Sequence, residues 1–458
     1  MKNNTRHMNT AKSALLLTAL LAFAQMGNSA YAQNGVNSPY SRYGFGIQSE
    51  RATSFNKGMA GVAQGFRDGQ IINAQNPASY SAVDSLTALF DFGLTLQNGN
   101  YKMGNLQQNA KNTSIDYAAF HFRATKHLGM AVGILPFTNI GYSFSTSETK
   151  VEGDDDLTSS YTFTGDGGLH QVFLGAGWQP FKPVSFGVNV GYLFGDYTHT
   201  MTNNFSETSV SSNVKGFNAN INSYTIDFGF QYIQPLSKKD KLTLGVTYGL
   251  GHDIKNQAIR YIEKYNATTA SVEGITGDTI NNAFQFPQTI AVGITYNHTT
   301  KWSVGADFEL QKWSDCLFPI ETASGSYVSQ KGSLNDKMRI AIGGSYTPNS
   351  QNRHNYLQRM SYKFGAYYSE TYANTMTAGT SSSKPKEYGL SAGFTFPISN
   401  TNAWYSAPKL NVSLQWAHTD IPYISNLNNS RQTLKENYLR LSLGLTISDR
   451  WFYKFKVD

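Results

Sequence analysis

From about residue 85 onward, large apolar and small polar residues alternate with a period of two, the side-chain spacing of a β-strand. Phe186, Val188, Val190, Tyr192 and Phe194 share one face, while Ser185, Gly187, Asn189, Gly191 and Gly195 form the other. Leu439, Leu441, Leu443, Leu445 and Ile447 alternate with Arg440, Ser442, Gly444, Thr446 and Ser448. The same pattern recurs around Val246, Phe228, Val292 and Leu414. Six connections look short, near residues 124–127, 180–183, 236–240, 298–300, 348–356 and 399–408. Seven longer polar stretches alternate with them, at 99–112, 148–159, 204–220, 257–282, 313–334, 372–384 and 421–435. That alternation predicts fourteen antiparallel strands with both ends of the sheet on the short-turn side.

A soluble β-sandwich also alternates, but its polar face meets bulk water and usually carries many Lys and Glu. Here that face is Gly, Ser, Thr, Asn and Gln, which suits the interior of a barrel whose apolar exterior faces lipid. Composition points the same way. Charged residues are 15% and aromatics 14% of the 458-residue chain, and no stretch after the leader approaches the length of a membrane helix. The fold class expected is therefore all-β, a transmembrane antiparallel β-barrel of about 14 strands over residues 86–458.

Residues 1–32 have the makeup of a secretory leader: Lys2, Arg6 and Lys12, an apolar run over 14–24, then Ala30-Tyr31-Ala32. Its removal would change 37 Lys+Arg against 30 Asp+Glu to 34 against 30, and the net charge from +7 to +4. The apparent basicity is mostly leader, so nucleic-acid binding has no motive. Cys316 is the only cysteine, which excludes an intramolecular disulfide. The location expected is the outer membrane of a Gram-negative envelope, in contact with its lipid.

Residues 33–85 read differently. Pro39, Gly44, Gly46, Gly58, Gly61, Gly65, Gly69 and Pro77 break any long element, yet Tyr40, Phe45, Met59, Val62, Phe66 and Ile72 need burial. Folding into the barrel lumen as a plug would bury them. The run Gly58-Met-Ala-Gly61, then Arg67-Asp68 and Asn76-Pro77-Ala78, resembles the N-terminal signature of the FadL-type outer-membrane transporters of hydrophobic compounds. The preceding Ser38–Gly46 stretch is similar to the mature N-termini of a divergent branch. The resemblance implies a hatch inside a fourteen-stranded barrel, capture of a hydrophobic, fatty-acid-like small molecule among the long loops, and lateral exit where the third strand kinks. The expected third strand, about 128–144, contains Gly133, Pro136 and Gly141, and a proline there removes a ladder hydrogen bond. Arg42, Arg67 and Arg440 are lumen-side candidates for a ligand carboxylate, or else structural partners of buried carbonyls and acids.

Enzyme signatures are absent: there is no GxSxG, HExxH, CxxC, P-loop or dinucleotide fingerprint. The eight histidines after the leader are scattered, and Asp154-Asp155-Asp156 lacks the spacing of a calcium loop. No cofactor or metal is expected. An alternative to uptake, also taken from relatives of the FadL type, is a non-transport barrel that serves as scaffold or attachment partner for secreted proteins, with a secretion-system protein as its partner.

Overall fold

The computed structural model describes residues 36–450, apart from positions 147, 152–153, 208, 267, 270, 323–324, 353, 376–383, 399–407 and 425–430. The expected leader lies outside the described residues. Fourteen antiparallel strands close into one barrel. They are β1 (Thr87–Met103), β2 (Leu106–Arg123), β3 (Leu128–Ser145), β4 (Asp154–Phe181) and β5 (Val184–Phe205). Next come β6 (Ser212–Pro235), β7 (Asp240–Gly249), β8 (Thr289–His298), β9 (Trp302–Gln311) and β10 (Lys337–Tyr346). The last are β11 (Ser361–Glu370), β12 (Lys386–Pro397), β13 (Lys409–Ile424) and β14 (Arg431–Arg450). Closure comes from β1 and β14, paired from Thr87↔Arg450 to Met103↔Leu434.

The side-chain distribution is that of a membrane barrel. Leu174, Val190, Phe364, Leu390 and Leu414 are exposed on the outside, whereas Ser185, Thr243, Thr295, Ser391 and Ser442 are buried inside. No energetic sense attaches to such a surface in water, because exposed apolar area costs about 25 cal/mol per Å². In lipid the cost vanishes. Strands β7 to β11 are 10 residues long, the length a tilted strand needs to cross the hydrocarbon.

On one side the wall continues far past that length, with 28, 22 and 24 residues in β4, β5 and β6. Several stretches expected as long loops are therefore paired strand. Residues 99–112 form the outer half of the β1–β2 hairpin, turning at Gly104. Residues 204–220 are largely the ends of β5 and β6. Within 257–282, Ala258–Asn266 and Ser271–Ile280 make a hairpin that adds to the edge of β6. The reason is simple: beyond the lipid both faces of a strand are polar, so the alternation that marks strands in sequence fades. The acidic run 154–156 opens β4, and its side chains lie outside the described residues.

Candidate functional site: the lumen and an interrupted ladder

The N-terminal segment before β1 lies within the ring and bonds inward-facing residues of many strands. Its order comes from short capped turns. Asn76 caps the 3-10 turn Pro77–Ala82, its side chain accepting from the Ala78 N–H, while its Nδ2 donates to the Gln64 carbonyl at 2.8 Å. Asn before Pro at a helical start is favourable because the cap satisfies an orphan N–H and Pro has none to lose.

Inward-facing glycines let this backbone press against the wall. Gly177, Gly187 and Gly229 are cross-strand neighbours on β4, β5 and β6. A Cβ on Gly187 would stand 2.2 Å from the Pro77 carbonyl carbon, and one on Gly229 2.3 Å from Asn76 Oδ1. A second row, Gly305, Gly343 and Gly365 on β9, β10 and β11, meets Val62 and Met59 in the same way. The Asn76-Pro77-Ala78 and Gly58–Gly61 motifs thus sit on two separate glycine rows.

Charge fixes the segment as well. Glu50 pairs with Arg339 at 3.1 Å, Arg51 with Asp227 at 2.8 Å, and Lys57 with Asp116 at 2.8 Å. Asp307 accepts from the N–H groups of both Ala63 (2.6 Å) and Gln64 (2.9 Å). Burial pushes the Glu50 carboxyl up, but Arg339 and Lys57 outweigh it and hold the group below the usual carboxylate range. Between segment and wall remains a polar cavity of about 110 Å³, lined among others by Glu50, Arg51, Asp227, Glu309, Lys337 and Arg339.

The barrel ladder is interrupted between β2 and β3. β2 pairs with β1 from Phe122 to Leu106, with one bulge at Asp116, but with β3 only from Arg123↔Gly129 to Ala118↔Ile134. Pro136 follows two residues on, and the β3–β4 register shifts between Pro136 and Thr138. Beyond this point β3 stays with β4, and its free edge is taken by the N-terminal segment. Ile47 and Gln48 pair with Asn139 and Thr138, Ser49 N–H donates to the Phe137 carbonyl at 3.0 Å, and Ser38 N–H donates to the Gly141 carbonyl at 3.0 Å. Gly133 lies below the break, in the paired part, where a Cβ would meet the Ala118 carbonyl at 2.8 Å.

Above the segment, the long-loop hairpins fold inward as an aromatic cap. Phe45 is fully buried, with Phe284, Phe286, Trp313 and Phe318 rings at 5.1–5.8 Å, and its N–H donates to Tyr372 Oη at 3.0 Å. The stretches 257–282 and 313–334, expected as polar loops, flank or contain these rings. The signal available was the isolated Phe284-Gln-Phe286 and Trp313, aromatics with no strand pattern of their own.

The three candidate arginines do not converge. Arg42 lies beside the cap, 4.2 Å over the Phe163 ring, and among the described residues no carboxylate pairs with it. Nearby, His199 Nδ1 and Tyr142 Oη share a hydrogen bond of 2.8 Å, while the buried His199 Nε2 has no partner. Arg67 is at the short-turn end, donating to the Ala78 carbonyl, Ser81, Gln179, Ser185 and Gln231 at 3.0–3.3 Å. Burial, with Arg123 nearby, pulls its pKa down to about 10, so it stays charged at neutral pH. Arg440 donates to Gln97 at 2.8 Å and covers the Tyr438 ring at 4.9 Å. Among the described residues no cluster of three His, Cys, Asp or Glu groups is placed to hold a metal.

Comparison with known proteins agrees with this architecture. The BamG family model matches residues 12–458. No curated protein matches. Among solved structures, a Pseudomonas aeruginosa FadL homologue is 12% identical, with a TM-score of 0.58 over 87% of this chain and 98% of that one. The Ralstonia pickettii toluene transporter TbuX is 14% identical, with a TM-score of 0.54 over 87% and 98%. The Pseudomonas putida toluene transporter TodX is 12% identical, with a TM-score of 0.57 over 88% and 100%. At such identities the likeness is one of fold.

Proposed function

The chain belongs to the BamG family and has the fold of FadL-type outer-membrane barrels, and from that premise we propose that it admits a hydrophobic, fatty-acid-like small molecule through the outer membrane by a lateral route. The observation that carries this reading is the ladder between β2 and β3, which ends at Ala118↔Ile134 beside Pro136. Straight passage would take an apolar chain past the Glu50–Arg339 and Lys57–Asp116 pairs and into water. Each methylene wetted on that path costs about 0.8 kcal/mol. An exit between β2 and β3 keeps the chain in apolar surroundings.

In this reading residues 33–85 are the hatch, seated on the glycine rows by Met59 of the Gly58–Gly61 run and by Asn76, Pro77 and Ala78. Gly133, Pro136 and Gly141 belong to the strand that leaves the wall. Arg42, with His199 and Tyr142, receives the carboxylate next to the aromatic cap, and the buried unpartnered His199 Nε2 is a second group for it. Arg67 and Arg440 already donate to amides, hydroxyls and carbonyls, and hold structure instead.

The test is uptake of a labelled long-chain fatty acid by cells carrying a Cys316→Ser, Thr113→Cys, Ser143→Cys variant, treated with a reducible bifunctional cross-linker that staples β2 to β3. Uptake should fall on cross-linking and return on reduction. Unchanged uptake in the stapled protein contradicts the lateral route. The tall polar wall of β4–β6 favours a second reading, attachment of a secreted protein above the membrane. That reading gains if the unmodified protein moves no fatty acid yet co-purifies with an exported partner.

A further inference from the structure

The outer face of the barrel is not uniformly filled. Across β10 to β14 the outward positions are mostly large: Ile342, Phe364, Leu390, Leu414 and Trp416 are 43–65% exposed. Two outward positions between them are small. Ala366 is paired with Leu390 and Ile342, and Ala392 with Phe364 and Leu414, so the two alanines stand among bulky neighbours on adjacent strands. The result is a concavity of about 620 Å³ whose rim is those side chains together with Leu439. Behind it the wall has no thickness to spare, because the side-chain-free inner faces of Gly343 and Gly365 already touch Met59.

The position of the hollow decides what fills it. Tyr368 and Tyr388, ring centroids 5.3 Å apart, lie toward the long-loop end, and Tyr362 and Phe394, 5.8 Å apart, toward the short-turn end. Aromatic pairs of this kind mark the two interfaces of a membrane barrel. The hollow between them is at hydrocarbon depth and continuous with the lipid-facing surface.

We propose that this hollow is a binding site for one acyl chain of a membrane lipid, held in the groove over Ala366 and Ala392. The chain completes a wall that the N-terminal segment supports from within through Met59. The hollow is open toward the lipid, but its floor at Ala366 and Ala392 and its rim of larger side chains give one chain more apolar contact than a flush wall does.

The test uses the intact protein in nanodiscs of phosphatidylethanolamine and phosphatidylglycerol, released into a native mass spectrometer under graded activation. One lipid per chain should survive activation that strips the others. An Ala366→Leu, Ala392→Leu variant, shown to be folded by its heat-dependent electrophoretic mobility, should lose that retained species. If the double variant does not fold, Ala392→Leu alone is measured and should reduce the species. Retention unchanged in the folded variant overturns the proposal. So does a wild type that keeps no lipid, or one that emerges as a dimer separated by Ala392→Leu, which would assign the groove to a second copy. The outcome is independent of whether the barrel moves fatty acids.

Discussion

At the scale of single residues, the lumen is organised by what is missing from its wall. Gly187 faces inward, and its hydrogen is all that fits beneath Pro77. A Gly187→Val substitution forces the Asn76-Pro77-Ala78 turn away from β5, and overpacking of this kind costs about 1–3 kcal/mol. The expected result is a lower unfolding temperature in detergent and earlier proteolysis within residues 36–86. Wild-type resistance would mean that the contact yields freely. Glu50 makes a second residue-scale case. Its folded pKa is held below the ordinary value, so the Glu50–Arg339 pair stabilises above the unfolded pKa, about 4.3, and that stability is lost as pH falls through the folded pKa. Wild type should therefore melt above Glu50→Gln at neutral pH, with the gap closing under more acidic conditions than an ordinary carboxylate requires. A gap that is constant with pH would contradict the assignment.

At the scale of elements, β3 shows how one residue sets a strand's partners. Proline withholds a backbone donor, the adjacent Phe137 is skipped in the β3–β4 register, and beyond this point the N-terminal segment replaces β2 along the edge of β3. Restoring the donor with Pro136→Val should lengthen the β2–β3 ladder. Hydrogen exchange at residues 111–117 of β2 is the measure, and slower exchange is expected. Exchange as fast as in wild type would place the cause of the break in the N-terminal segment. The elements also show what sequence can convey. Strands within the lipid were legible because one face must be apolar and the other must not. Their outer halves, such as Gln107–Ser114, have no lipid on one side and polar groups on both, so they look like loops. The aromatic cap was hidden for another reason: Phe45, Phe284 and Trp313 meet only through folding over long sequence separations. The glycine rows were visible as inward-facing glycines, but their alignment into rows depends on strand register, which single strands do not carry.

At the scale of the whole molecule, two opposing surfaces account for the fold. The outside is apolar and gains nothing from water, while the inside is polar and is satisfied by a segment of the same chain. Arg51, Lys57, Ala63 and Gln64 of that segment take their partners from β6, β2 and β9, so the filling is bound to the wall around the ring. A barrel of this kind should be electrically closed. The measurement that tests this most directly is ion conductance in planar lipid bilayers, comparing the full chain with a variant lacking residues 36–82. The account predicts a quiet full-length protein and a steady open pore once the segment is gone. A full-length protein that conducts as well as the deletion variant would show that the lumen is open, and would contradict the account.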